Sequence, residues 1–324
     1  MRSRSRIAAW VVGLTVTAVM ATLGCGGGGG EDSGIQLNSV AFGPPEARLG
    51  AFVAVGDSDR LFVNVGNGWT PYVSGLANLN SVTWSQPLQT FVAVGDGGTI
   101  AKIVVTIDEN GAEKVAIEPQ GSPTTFDLFG VAAGDAGLIA VGAAGTILAS
   151  TDGVTWVARG SDTGAALNAV AFSTSGDVVA VGANATVTIS EDAGLSWSLV
   201  QFPDREDVTI GNLNGVTHGS SGWVVVGEGG VVLQAEKPDE WILRGYEILP
   251  NLYGVGFVQG LYTVLGEKGR ILTSPDGITY SQSVSNSGQT LHATAYGNAT
   301  YYVVGRGGRA LQSLDGVIYQ DTKI

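Results

Sequence analysis

The sequence is poor in cysteine, in histidine and in charged residues. One cysteine, Cys25, occurs in 324 residues, and charged side chains make up 14% of the chain. A single cysteine excludes an internal disulfide and a multi-cysteine metal site. The two histidines, His218 and His292, give no metal or triad pattern, and no phosphate-binding or dinucleotide fingerprint is present. We therefore expect no metal, no cofactor and no catalytic centre assembled from these residues.

Long apolar runs are also scarce, and the one that occurs is N-terminal. It extends from Ile7 to Gly24, after three arginines and before Cys25, which is the pattern of an export signal. The letters TLGC resemble the lipobox of bacterial lipoproteins, in which the cysteine is lipidated and becomes the new N-terminus. We expect a lipoprotein signal peptide at 1–24, lipidated Cys25 with a glycine-rich linker to residue 34, and a folded domain at 35–324. An uncleaved membrane anchor is the alternative, because 18 residues are at the lower limit for a spanning helix.

The net charge of the chain limits the kinds of partner that it can bind. Without the signal the chain keeps 13 lysines and arginines against 29 aspartates and glutamates, a net charge of −16. This charge argues against nucleic acid and against anionic lipid headgroups, and leaves a basic partner open. The membrane would then be contacted through the lipid alone. Gly26 follows the cysteine where many inner-membrane lipoproteins have Asp, so in a Gram-negative cell the outer membrane is favoured, on its periplasmic or surface face.

Glycine is abundant, at 50 residues, and much of it belongs to an internal repeat. Each repeat begins with a leucine-led apolar run and continues with a second run that ends in glycine, such as LNAVAF followed by VVAVG. The starts are spaced 39 to 49 residues apart, a period typical of four-stranded propeller blades. The seven starts are Leu37, Leu79, Leu128, Leu167, Leu213, Leu252 and Leu291.

The repeat predicts an all-β fold. Short runs rich in valine, alanine and phenylalanine alternate with turn residues, four runs to a repeat, and no segment after the signal has a helical stripe. The sequence therefore predicts a seven-bladed β-propeller with four antiparallel strands per blade, as a monomer. The last repeat already holds four runs, so we expect the ring to close by side packing, with a strand swap at residues 33–42 as the alternative. Insertions at Gly43–Ala51, around Asn110-Gly111 and at Phe202–Asn212 are expected at the surface.

The letters SEDAGLSW, from Ser190 to Trp197, match the pattern S-x-D-x-G-x-x-W, and three shorter copies start at Ser150, Ser274 and Ser313. On these letters the repeats resemble the Asp-box, or bacterial-neuraminidase, repeat family. The frame is most similar to propellers related to photosystem II stability and assembly factors. In that family the motif is a structural turn between the third and fourth strands. The expected members of these turns are Ser190, Asp192, Gly194, Trp197, Asp152, Asp276 and Asp315.

Recurrence gives an independent reason for a structural role, because a catalytic group is needed once rather than four times around a ring. Short polar side chains can accept backbone N–H bonds in a turn, and glycine supplies the unusual φ. Sialidase chemistry, which the resemblance raises, needs an arginine triad, a tyrosine nucleophile with its carboxylate and an acid. The FRIP signature of sialidases is absent and seven repeats differ from their six blades, so we expect a protein that is not an enzyme.

The residue after each second-run glycine is expected on the face opposite the Asp-box turns. A partly acidic rim would form there, which we take as the candidate binding surface, with ordinary solvated turns as the alternative. Its members are Asp57, Asp96, Glu228, Glu267 and Arg306. The asparagines at the second position of the first run (Asn38, Asn80, Asn168 and Asn214) either line the channel entrance or tie the incoming loop, and His292 replaces them in the last repeat.

These observations lead to a functional hypothesis. The chain is expected to be an envelope lipoprotein that binds another envelope protein as a scaffold, assembly or recognition factor. The alternative is a glycan-binding or glycan-hydrolysing propeller, in which exposed tryptophans would stack on sugar rings. The tryptophans considered for that role are Trp69, Trp84, Trp223 and Trp241.

Overall fold

A computed structural model of the chain describes residues 35–44, 50–109, 112–200, 210–245, 250–322 and 324. The chain divides into two units, residues 1–31 and 32–324, and every described residue belongs to the second. The export signal, Cys25 and the glycine-rich linker lie outside the described residues, as do most of Phe202–Asn212, residues 45–49 and the Asn110-Gly111 turn. Within the described part, no helix is long and apolar enough to cross a membrane.

The described residues form seven four-stranded antiparallel sheets, which confirms the predicted seven-bladed propeller. In every sheet the strands are hydrogen-bonded in chain order. The first four blades comprise β1 (Leu37–Gly43), β2 (Ala51–Gly56), β3 (Arg60–Asn64), β4 (Thr70–Val73); β5 (Leu79–Ser85), β6 (Thr90–Gly95), β7 (Ile100–Ile107), β8 (Glu113–Gln120); β9 (Leu128–Gly134), β10 (Gly137–Gly142), β11 (Ile147–Ser150), β12 (Val157–Arg159); and β13 (Leu167–Phe172), β14 (Val178–Gly182), β15 (Val187–Ser190), β16 (Ser198–Leu199). The last three comprise β17 (Leu213–Gly219), β18 (Gly222–Gly227), β19 (Val232–Ala235), β20 (Ile242–Gly245); β21 (Leu252–Val258), β22 (Leu261–Gly266), β23 (Ile271–Ser274), β24 (Ser281–Gln282); and β25 (Leu291–Gly297), β26 (Thr300–Gly305), β27 (Arg309–Ser313), β28 (Gln320–Thr322).

The second strand of every blade is buried along all or nearly all of its length. All six residues of β2 and of β6 are buried, because both faces of a blade pack against neighbouring blades. This explains why the apolar runs in the sequence are continuous rather than alternating. The apolar clusters accordingly join adjacent blades; one of them packs Val179 and Val181 of blade 4 against Trp223 and Val225 of blade 5.

The hairpin after the second strand is a short 3₁₀ turn in five of the seven blades. The turns are Asp96–Gly98, Ala143–Gly145, Glu228–Gly230, Glu267–Gly269 and Arg306–Gly308. Their central residue has a left-handed backbone, with φ of 63° at Gly97 and 57° at Lys268. The expected positive φ is present, but glycine is not obligatory, since Ala144 and Lys268 adopt it as well.

The ring closes without exchange of a strand among the described residues. Blade 7 meets blade 1 through a cluster that joins Leu37, Phe52 and Phe62 to Tyr302 and Val304. Two polar contacts reinforce this seam: Asn64 Nδ2 donates to Tyr302 Oη at 3.1 Å, and Asn298 Nδ2 donates to Gly50 O at 2.8 Å. The extension of blade 2 also packs rather than standing free, because Tyr72 Oη of blade 1 donates to Glu113 Oε1 at 3.0 Å.

Candidate functional site

The SEDAGLSW turn is held together by its own serine and aspartate. Ser190 Oγ donates to Asp192 Oδ1 at 2.7 Å and accepts the backbone N–H of Gly194 at 2.8 Å. Asp192 Oδ1 accepts the N–H groups of Leu195 and Ser196, and its Oδ2 accepts the Ser196 hydroxyl. The hydroxyl and amide donors of Ser196, with Ser190 and Leu195, lower the pKa of Asp192 to about 2. The carboxylate therefore serves as an acceptor for the turn.

The three shorter copies make the same contacts. In each of them the serine donates to the aspartate and accepts the glycine N–H, and the aspartate accepts the next two backbone N–H groups. Backbone donors lower the pKa of Asp152 to about 2 and also lower the pKa values of Asp276 and Asp315. Trp197 packs beside Ile139 and Val141 of the preceding blade, so the aromatic residue fills the space between blades.

The acids of the candidate rim lie at the opposite end of the strands, and each is engaged by an amide. Asp57 accepts Asn38 Nδ2 at 3.0 Å, and Asp96 accepts Asn80 Nδ2 at 2.9 Å. Glu228 accepts Asn212 Nδ2 at 2.9 Å. The fourth acid, Glu267, accepts Asn251 Nδ2 at 3.1 Å and Tyr253 Oη at 3.3 Å. The fifth member, Arg306, is exposed and donates through Nε to Gln36 Oε1 at 3.3 Å.

Three amides that engage these acids also cap the hairpin of the preceding blade: Asn212, Asn251 and Asn78, whose Nδ2 donates to Asp96 Oδ2 at 3.0 Å. Asn78 Oδ1 accepts Ser58 N–H, Asn212 Oδ1 accepts Asn184 N–H, and Asn251 Oδ1 accepts Gly229 N–H, at 3.0 to 3.1 Å. Asp127 Oδ1 accepts Gly97 N–H in the same way. We call this set of contacts the cap relay. It gives the rim acids a structural task, since Asp96, Glu228 and Glu267 hold the amides that cap the neighbouring blade.

The second-position asparagines tie one blade to the next. Asn38, Asn80, Asn168 and Asn214 each donate through Nδ2 to the carbonyl of the leading leucine in the following blade, at 2.8 to 3.0 Å. His292 takes this role at the seam, where its Nδ1 lies 3.0 Å from Leu37 O. Burial lowers the pKa of His292 and that of His218, so both imidazoles are neutral near pH 7.

A cavity of about 380 Å³ opens at the channel mouth among blades 5, 6, 7 and 1. Its walls carry a carboxylate, a guanidinium and several neutral polar groups. We call it the mouth cavity, and its lining residues are Gln36, Asn38, Asn214, Tyr253, Glu267, Thr290, His292 and Arg306. Of the five rim residues it brings together only Glu267 and Arg306; Asp57, Asp96 and Glu228 are not part of its wall.

Several of these residues escaped the sequence analysis. Tyr253 and Thr290 replace residues of other types at their repeat positions. Thr290 lies beside Arg306 within blade 7, where the Arg306 N–H donates to Thr290 O at 2.9 Å, and the packing of blade 6 on blade 7 adds Tyr253 to the same wall. The signal that could have identified Tyr253 is its position: it stands where four other repeats have the interblade asparagine.

The rings of the tryptophans proposed to stack on sugars mostly pack against other side chains of the protein. Trp223 is 1% exposed, so its proposed exposure was wrong: its ring packs between blades 4 and 5. Trp69 lies against Phe52 and Tyr302, and Trp84 lies against Phe91. Trp241 is half-buried, with its Nε1 donating to Pro238 O at 2.7 Å. Among the described residues, no group of three or more His, Cys, Asp or Glu could hold a metal ion.

Comparison with known proteins places this chain among propellers. No protein-family model matches it, and no curated protein does. Among solved structures, it is similar to "YCF48 bound to D1 peptide", with a TM-score of 0.63 and 16% identity over 87% of this chain and 92% of the other. It is also similar to YCF48 from Cyanidioschyzon merolae, with a TM-score of 0.57 and 16% identity over 75% and 84% of the two chains. The resemblance to assembly-factor propellers is therefore supported at the level of the fold.

Proposed function

We propose that the domain binds a segment of another protein at the mouth cavity and has no chemistry of its own. The observation that carries this proposal is the cavity wall, where Arg306, Glu267, Tyr253 and Asn214 offer donors and acceptors of both charge signs within one concave site. Such a wall suits the mixed polar groups of a peptide backbone and its side chains. A solved neighbour of similar fold is described as bound to a peptide, which supports the same class of ligand.

The same proposal includes export of the chain and its attachment to the cell envelope. The basic N-terminus, the apolar run and Cys25 support export and attachment by lipid, with the outer membrane as the favoured site. The domain would then be an assembly, scaffold or recognition factor that meets its partner in the cell envelope. Processing can be tested by metabolic labelling with palmitate: Cys25→Ser should lose the label, and label retained by Cys25→Ser would refute lipidation at this residue.

The binding site can be tested by placing a photocrosslinking residue at Thr290, inside the mouth cavity, in intact cells. The matched control carries the crosslinker at Leu314, which lies beyond the third strand on the opposite face and is 81% exposed. We expect a discrete adduct with an envelope protein from position 290 alone, and we expect Arg306→Gln to reduce its yield. Adducts of the same proteins from both positions, or an unchanged yield in Arg306→Gln, would contradict binding at the mouth cavity.

A further inference from the structure

A second concave site lies between blades 3 and 4, at the end of the strands that carries the Asp-box turns. It has a volume of about 340 Å³ and is lined by apolar side chains with one cation. Blade 3 contributes Ile139, Ala149, Val157 and Arg159, and the Asp192 turn of blade 4 forms the other wall with Leu195. We call it the interblade groove. Leu195 is 62% exposed and Val157 46% exposed, so apolar surface is presented to solvent here.

Arg159 belongs to the wall of this groove because of strand register. In β11 and β12, Arg159 pairs with Ile147 and Val157 pairs with Ala149, so all four side chains share the face that packs toward blade 4. Its Nε is buried and has no hydrogen-bond partner among the described residues. Buried donors are nearly always satisfied, so an unpartnered guanidinium nitrogen calls for an explanation.

In two other blades the side chain at this register position forms a hydrogen bond with the next blade. Tyr72 of blade 1 donates its hydroxyl to Glu113 of blade 2 at 3.0 Å. Ser283 of blade 6 donates its hydroxyl to Gly316 O of blade 7 at 3.2 Å. In both cases the side chain opposite the start of the third strand reaches across to the next blade. Arg159 is the charged residue at this position, and blade 4 provides no acceptor for its Nε in the described structure.

The one acid in the groove is committed elsewhere. The carboxylate of Asp192 accepts the Ser190 hydroxyl, two backbone N–H groups and the Ser196 hydroxyl, which together occupy both oxygens. No ion pair joins it to Arg159 among the described residues. The groove therefore pairs a guanidinium that lacks a counter-charge among the described residues with an apolar wall.

We propose that the interblade groove binds a small amphipathic carboxylate, with its anionic end on Arg159 and its apolar chain along Ala149, Val157 and Leu195. A carboxylate matches the charge and donor geometry of a guanidinium, and it would supply the counter-charge that Arg159 lacks among the described residues. An apolar chain removes the exposed Val157 and Leu195 surface from water. A small anion alone would leave the apolar wall uncovered, and an alkane alone would leave the guanidinium without a counter-charge, so a ligand with both parts fits the groove best.

Octanoate is a suitable probe, and its binding to the purified full chain can be followed by ligand-observed NMR titration. Octan-1-ol supplies the chain without the charge, and acetate supplies the charge without the chain. We expect saturable binding of octanoate and at least about tenfold weaker binding of each control compound, because a charge-assisted hydrogen bond and several buried methylenes are each worth that factor. Equal affinity for octanoate and octan-1-ol, or no saturable binding of octanoate, would overturn the proposal.

Two variants locate the binding to this groove. Arg159→Gln keeps a polar side chain but removes the charge, and Leu195→Asp places an acid on the exposed wall. Each should weaken octanoate binding about tenfold or more, whereas Arg60→Gln, at an exposed arginine of blade 1, should leave it unchanged. Octanoate binding that survives both substitutions, or that falls equally in Arg60→Gln, would place the ligand elsewhere and reject the assignment.

Discussion

Serine and aspartate have separate tasks in the SEDAGLSW turn. Ser190 is 2% exposed and holds the Gly194 N–H from within the fold, while Asp192 collects the N–H groups at the surface. A backbone donor that loses its partner inside a fold costs about 1–3 kcal/mol, whereas a surface donor can turn to water. The buried serine should therefore matter more to stability than the acid that gives the motif its name.

We predict that Ser190→Ala lowers the free energy of unfolding by about 2 kcal/mol, because the Gly194 N–H is left buried without an acceptor. Urea denaturation followed by circular dichroism measures the change. Glu191→Ala is the matched control, since Glu191 is exposed in the same turn, and its unfolding midpoint should stay near that of the parent chain. Equal midpoints for Ser190→Ala and the parent would show that the serine has no such role.

The strand elements are joined by contacts that run around the ring. Each interblade asparagine satisfies a carbonyl on the next blade, and each member of the cap relay satisfies a hairpin N–H on the preceding one. At four boundaries, those of blades 1 and 2, 2 and 3, 4 and 5, and 5 and 6, neighbouring blades therefore satisfy one another's backbone groups in both directions. A blade in this molecule is a unit of repetition in the sequence, but it is not a self-sufficient unit of hydrogen bonding.

For this element we predict that Asn214→Ala lowers the free energy of unfolding by about 1 kcal/mol, because the Leu252 carbonyl loses a donor 2.8 Å away. Asn67→Ala serves as the control at an exposed asparagine in blade 1. Thermal unfolding of the parent chain, Asn214→Ala and Asn67→Ala should give the lowest unfolding temperature for Asn214→Ala. If Asn67→Ala lost as much stability, the interblade contact would not be the cause.

Many features of the turns and strands could be predicted from the sequence. The contacts that could not be predicted have a physical reason. The leucine-valine repeat and the Ser-x-Asp-x-Gly letters are local, so strand number, blade number and turn positions could be predicted. The asparagine contacts are not local: Asn80 and Leu128 lie 48 residues apart, and only the packed ring decides that they meet. The interpretation of the rim acids was incomplete for the same reason, since their amide partners include Asn78, Asn212 and Asn251, which stand just before three of the leading leucines.

At the scale of the whole molecule, the seam between blades 7 and 1 has a histidine where four other boundaries have an asparagine. The groups around His292 are Arg306 of its own blade, Tyr253 of blade 6, and Leu37 and Asp57 of blade 1. Burial is the largest cause of its lowered pKa; Arg306 lowers the pKa further, and Asp57 and the Leu37 carbonyl oppose the shift. Protonation of His292 is therefore less favourable in the folded ring than in the unfolded chain.

The sign of the pH effect follows from this difference. His292 has its ordinary pKa near 6.5 when unfolded and a lower pKa when folded, so it contributes full stability above about pH 6.5 and loses it as the pH falls toward the folded pKa. We predict that His292→Asn, which installs the residue found at this position in four other blades, flattens the loss of stability between pH 8 and pH 5. Urea midpoints at both pH values measure this. A loss as steep as that of the parent would assign the acid sensitivity to His218, whose pKa is also lowered.

The seam has a consequence for how the chain folds. Six boundaries between blades are spanned by the backbone itself, so the elements that meet there are neighbours in sequence. The seventh is made by contacts such as that between His292 Nδ1 and the Leu37 carbonyl, whose residues are 255 apart in sequence. Contacts of such sequence separation form slowly, because the entropy of closing the intervening chain is lost before the contact is gained. Ring closure is therefore expected to be the final kinetic step of folding, and an open crescent of blades its immediate precursor.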